Sequence, residues 1–259
     1  MTSHRLDDRE RRQLADDGYV LRERAFDHDE VAATLDACET VLAAVVAGRR
    51  HQRLSVGSYT FEADLASGLM VKWEGDSDVV HGLEPLAHLS PPLADLALDP
   101  RFVEPMVDII DDPAPALFTE KLNLKRPRHG GINPLHQDFP YWQDTKDASR
   151  IATAMLFLDD ADLGNGTLEV VPGSHHRGLW PTRTDQDHFG NLEIDLAEEA
   201  KATTVAVEAP AGSVVYFGPL LVHRSAPNRS DRERRALLFS YQPPGAPDMR
   251  DLLRATAAS

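Results

Sequence analysis

The segment NPLHQDFPYW sets His136 and Asp138 two residues apart, and His223 stands at the end of the apolar run in GSVVYFGPLLVHRSAPN. On an extended strand residues i and i+2 point to the same face, so an imidazole and a carboxylate can reach one ion. In a chain with 11 His, a His-x-Asp arises by accident about once, so that spacing alone identifies nothing. The third residue adds specificity. Two His and one carboxylate on one side of a metal leave the opposite side open, the donor set of non-haem iron(II) oxygenases. Arg234 follows His223 by eleven residues, in RERRALLFSY. If that run is a strand, Arg234, Ala236, Leu238 and Ser240 share one face, and a guanidinium there can clamp a carboxylate with two parallel hydrogen bonds.

Such a site needs strands to carry it. After residue 116 short runs rich in β-formers recur: 117–124, 151–158, 167–171, 203–207, 213–217 and 237–241. LGNG, VPGS, APAG and QPPG punctuate them. Many short strands with such turns imply a mainly β fold with flanking helices, a double-stranded β-helix of the jelly-roll, cupin-like kind. Before residue 115 the text is more helical. Val31, Leu35, Cys38, Leu42 and Val45 recur at steps of three and four, predicting a helix over 27–47 with Asp27 and Glu30 as a capping box. Residues 93–111 return to the same spacing. Between them, 49–92 reads as irregular, a candidate lid or pocket wall in which Trp73 and Glu74 are candidate substrate contacts, with a buried structural role the stronger alternative for Trp73. The expectation is one domain over 1–259, with a helical part to about 115 and a jelly-roll core over about 116–245.

PLHQDFPYW, NGTLEVVPGSHHRG, GPLLVHRSAPN with RRALLFSY, and the opening GYVLRERAFDHDEV together resemble the phytanoyl-CoA dioxygenase-like enzymes of the iron(II)/2-oxoglutarate oxygenase superfamily. The resemblance implies iron(II) on His136, Asp138 and His223, which would then be the catalytic centre, and a salt bridge from Arg234 to 2-oxoglutarate. It further suggests co-substrate contacts from Lys121 or Asn123 and from Thr153 or Met155. Dioxygen is the oxidant and ascorbate an expected activator. Because Asp138 is retained where related halogenases carry a small residue, hydroxylation, desaturation or oxidative ring closure is expected over halogenation. VKWE and FTEKLNLKRPR look like oxygenases of oligosaccharide and aminoglycoside antibiotic pathways, including those that form orthoesters.

Phe139, Tyr141 and Trp142, just after the His-x-Asp pair, are candidate substrate contacts or packing residues of the barrel wall. His28, His51, His81, His88 and His188 read as ordinary core or surface histidines, and His175 and His176 as parts of a turn. The net charge is -15 and no basic tract is long enough to follow a phosphate backbone, so nucleic acid is not an expected partner. A CoA thioester would want a basic patch that is equally missing. The single cysteine, Cys38, allows no intrachain disulfide, and no secretory leader or membrane span is read, which gives a cytoplasmic expectation and a monomer or homodimer. The substrate expectation is a small molecule, first a polar sugar-containing natural product. The alternatives are an amino acid, cyclic imino acid or terpenoid, and a non-catalytic cupin-like metal or sugar binder.

Overall fold

The computed structural model describes residues 3–48, 53–56, 59–64, 67–75, 77–182, 194 and 203–257; His51 and His188 lie outside them. Thirteen strands among these residues make two antiparallel sheets. The strands are β1 (Tyr19–Arg22), β2 (Arg53–Val56), β3 (Tyr59–Asp64), β4 (Leu69–Glu74), β5 (Val80–Glu84), β6 (Ala116–Lys125), β7 (Asn133–His136), β8 (Ala152–Phe157), β9 (Leu168–Val170), β10 (Val205–Val207), β11 (Val214–Phe217), β12 (His223–Ser225) and β13 (Arg234–Gln242). The large sheet runs β1-β11-β8-β13-β6-β5-β4-β3-β2 and the small one β10-β9-β12-β7. Each strand expected after residue 116 is present within one to three residues of its expected bounds.

The segment 49–92 is a correction. Where irregular text and a helical half were expected, β2 to β5 form a meander that widens the large sheet, and β5 pairs with β6 through Gly82↔Asn123 and Leu83↔Leu122. The reason is a one-sided pattern. Val71 and Trp73 of β4 are buried on one face while Lys72 and Glu74 occupy the other, a period of two that marks a strand and that the irregular reading passed over. Trp73 is fully buried and is core. The sheet also takes β1 from the N-terminal end, paired to β11, so strands from before and after residue 115 share it.

Six helices are described: α1 (Asp8–Asp17), α2 (His28–Gly48), α3 (Pro91–Leu96), α4 (Pro100–Ile110), α5 (Phe139–Trp142) and α6 (Met249–Ala257). The capping box of α2 is present, the Asp27 and Glu30 side chains accepting from each other's backbone N–H at 2.9 and 2.8 Å. The helical spacing over 93–111 resolves into two helices because Asp99 caps α4 and Pro100 begins it. The outer face of the large sheet packs on these helices: Phe102 stacks between Phe26 and Phe239 at 5.0 and 4.9 Å, and Val31, Cys38, Val41 and Leu42 of α2 join the same core. By length and composition α2 is apolar enough to cross a bilayer, but Glu39 from its middle accepts from Arg235 at 3.1 Å, an arrangement of a core-packed helix. The inner face of the large sheet meets the small sheet through Met155, Phe157, Leu168, Val170, Val215 and Phe217.

Candidate metal centre and co-substrate pocket

The small sheet sets His223 directly opposite His136, one on β12 and the other at the end of β7. Asp138 follows β7 at the start of α5, and its Oδ1 lies 3.8 Å from His136 Nε2 and 3.9 Å from His223 Nε2. One ligand atom from each of the three residues falls within 4.8 Å of the others. Both imidazoles are oriented from behind. A carbonyl only accepts, so Nδ1–H of His136 donates to Pro134 O at 2.8 Å and Nδ1–H of His223 to Leu221 O at 3.0 Å. In the neutral rings this leaves each Nε2 as a lone pair aimed at the common point. Burial, reinforced by the neighbouring His223 and by Lys121 and Lys72, holds His136 neutral to well below the usual histidine range. Two imidazole Nε2 atoms and one carboxylate oxygen on one side fit a divalent iron.

Gln137, between two of these residues in sequence, points the other way and is fully buried. Its amide donates to Gly178 O at 2.9 Å and Leu220 O at 2.6 Å, and its oxygen accepts from Trp180 N at 2.9 Å. It therefore ties the β7 end to the segment before His223, a supporting role that the sequence reading missed.

The large sheet supplies the facing wall in rows fixed by register. Arg234 pairs with Lys125; Ala236 with Asn123 and Phe157; Leu238 with Lys121 and Met155; Ser240 with Thr119 and Thr153. Arg234 is 2% exposed, and its Nε and Nη1 are buried without a protein hydrogen-bond partner. Burial lowers its pKa to about 10, which still leaves it cationic at neutral pH. A buried, under-satisfied guanidinium is costly unless something completes it, and a carboxylate does so. Lys125 beside it donates to Ala226 O at 2.7 Å and also to Gly131 O, and burial followed by Arg234 brings its pKa down to about 6. Lys72, one row on with Gly82 and Asn123, is brought to about 7 chiefly by burial. Arg234 is the firm cation of this group, with two buried amines near it that a bound anion would draw toward the protonated form; neither Lys72 nor Lys125 was singled out from sequence, because a charged residue in a strand reads as surface.

The remaining candidates divide. Tyr141 stands edge-on to His136 with ring centroids 6.0 Å apart, so it borders the centre. Trp142 does not: it is 7% exposed and packs edge-on against Phe118 at 5.6 Å, in a core that Phe139 also joins. Glu74 meets the inner wall, its Oε1 held by His81 Nδ1 at 2.6 Å and by Gly131 N–H at 2.7 Å. Thr153 and Ser240 share a buried hydroxyl contact of 2.8 Å, and Met155 is core. His175 is tied to Ala15 O at 3.1 Å, in a turn against α1. Two surface crevices of about 430 and 320 Å³ lie in the helical layer around Arg101 and touch none of the three ligand candidates.

A family model described as phytanoyl-CoA dioxygenase (PhyH) matches residues 14–236. The chain belongs to this family. It is similar to L-proline trans-4-hydroxylase of Streptomyces griseoviridis, 35% identical over 143 residues that cover 48% of this chain and 53% of that one. It is also similar to ectoine dioxygenase of Bordetella parapertussis, 26% identical over 242 residues covering 87% and 71%. The chain spans about half the length of several curated relatives, the proline hydroxylase among them. Among solved structures, EctD from S. alaskensis with 2-oxoglutarate and 5-hydroxyectoine superposes with a TM-score of 0.73 at 23% identity, covering 93% of this chain and 77% of that one. At that identity the likeness carries the fold, and the fold is the jelly roll of the 2-oxoglutarate oxygenases.

Proposed function

We propose that this chain is an iron(II)- and 2-oxoglutarate-dependent dioxygenase that oxidises an unactivated C–H bond of a small polar metabolite. One observation carries the reading: His136, Asp138 and His223 converge at the small sheet, and the inner face of the large sheet opposite carries the buried, under-satisfied Arg234. Iron with 2-oxoglutarate, when bound, couples reduction of dioxygen to oxidation of the substrate carbon, releasing succinate and carbon dioxide.

The chain's own residues supply position and electrostatics. Pro134 O and Leu221 O fix the histidine tautomers, and Asp138 provides the single anionic donor. Arg234 holds the far carboxylate of the co-substrate, and Asn123 sits one row from Arg234, closer than Lys121. Tyr141 flanks the centre where a substrate carbon would be presented. Retention of Asp138 favours hydroxylation, desaturation or ring closure over halogenation. The test is succinate formation from 2-oxoglutarate by protein loaded with iron(II) under air, with ascorbate present. Wild type is expected to form succinate, and His136→Ala and Asp138→Ala to form none; equal rates in all three would sink the reading.

A further inference from the structure

One charged pair in the pocket is used neither by the ligand set nor by Arg234. Lys121 Nζ lies 2.9 Å from Glu84 Oε2, and the other Glu84 oxygen accepts from the Thr119 hydroxyl at 3.0 Å. Both residues belong to the inner face, Lys121 in the row of Leu238 and Met155, with Glu84 beside it on β5. The Lys121 side chain is 41% exposed although it faces the space between the sheets, whereas Glu84 is 13% exposed. Its open surface therefore borders the space between the sheets. Lys121 also lies within electrostatic reach of the Asp138 carboxylate, which sets it toward the metal centre.

Register separates this pair from the co-substrate clamp. Lys121 is four residues from Lys125, the partner of Arg234, and four strand residues span about 13 Å. One small dicarboxylate clamped by Arg234 and reaching the metal has no carboxylate to spare beyond it. A cation and an anion held side by side, each with fixed geometry, instead complement a ligand that carries both charges close together. An uncharged sugar would pair poorly with such a wall, because desolvating Lys121 and Glu84 without offering opposite charge is unfavourable.

We infer that Lys121 and Glu84 form the substrate-recognition element and select a small zwitterion of the amino-acid or imino-acid class, its carboxylate on Lys121 and its cationic nitrogen on Glu84. This deepens the dioxygenase reading and rests on it, replacing the sugar-containing product by the amino- or imino-acid alternative. It also moves Lys121 from the co-substrate to the substrate.

The test is calorimetric binding to protein loaded with iron(II) and 2-oxoglutarate without oxygen. The probes are the proteinogenic α-amino acids, L-pipecolic acid, the amide and N-acetyl derivatives of whichever binds, and glucose and maltose as neutral controls. At least one zwitterion is expected to bind, its amide and N-acetyl forms each at least 10-fold more weakly. Lys121→Met should weaken it at least 30-fold and Glu84→Gln about 10-fold, with partial recovery in Lys121→Arg. The dissociation constant for 2-oxoglutarate should move less than twofold in Lys121→Met, which also shows that the variant is folded. Binding of the sugars alone, or of none of the zwitterions, overturns the inference. So does a loss of 2-oxoglutarate affinity in Lys121→Met as large as the loss of zwitterion affinity. Failure of wild type to bind 2-oxoglutarate at all would instead defeat the dioxygenase reading, so the two failures are distinguishable.

Discussion

Replacing Arg234 by Met separates binding from folding. The guanidinium is buried with Nε and Nη1 lacking a protein partner, a burial that costs folding free energy wherever no ligand completes it. Met keeps most of the volume and removes the charge. The ligand-free variant is therefore expected to melt at or above the wild-type temperature, since removing an uncompensated buried polar group relieves about 1–3 kcal/mol. Binding of 2-oxoglutarate responds in the opposite direction. Losing a buried, charge-assisted double hydrogen bond costs about 2–4 kcal/mol, which is roughly a 30-fold to nearly 1,000-fold rise in the dissociation constant. The assay is a pair of melting curves, without ligand and across a 2-oxoglutarate titration, on iron-loaded protein kept free of oxygen. Wild type should gain stability with ligand concentration and Arg234→Met should not until far higher concentrations. Unchanged 2-oxoglutarate affinity in Arg234→Met would refute the assignment of the clamp. A fall of several degrees in the ligand-free variant would refute the premise that the guanidinium waits for its partner.

Other expectations follow from the same geometry. Asp138→Asn should weaken iron(II) binding by more than the 10- to 100-fold typical of losing an outer-sphere partner, because it alters a ligand itself; anaerobic titration with iron(II) measures this. Trp142→Ala should cost about 3–5 kcal/mol of stability as a core deletion. Tyr141→Ala, at a partly exposed position, should cost less than about 1 kcal/mol and change chiefly the substrate KM, a contrast read by denaturant melts beside kinetics. Glu120 points to the helical side, 5% exposed, accepting from Ala87 N–H at 2.6 Å, and burial raises its pKa from the ordinary 4.5 to about 7. A raised carboxyl pKa means full stability below about pH 4.5, lost as pH rises to about 7, because the unfolded chain ionises first. Glu120→Gln should thus match wild type at pH 4.5 and exceed it by up to about 3 kcal/mol at pH 8; an advantage that does not grow with pH would contradict this.

The sequence carried much of the outcome where local pattern and chemistry coincide. The strands after residue 116 were legible because alternation and turn residues bound each run, and α2 because its apolar stripe and Asp27–Glu30 box are local features. His136, Asp138, His223 and Arg234 were legible because few residue types do this chemistry and their neighbours form recognisable runs. What tertiary structure alone decided is whatever depends on which face of a strand meets which partner. The strands β2 to β5 went unread because their runs are short and interrupted by polar residues, and strand pairing turned Lys72, Glu84 and Lys125 toward the space between the sheets. Trp73 and Trp142 were open by type to a substrate contact or a packing role, and packing drew both into cores. Residue type and spacing set what a side chain is able to do, but long-range pairing fixes where it points, and a one-residue change of register would reverse every assignment on the strand.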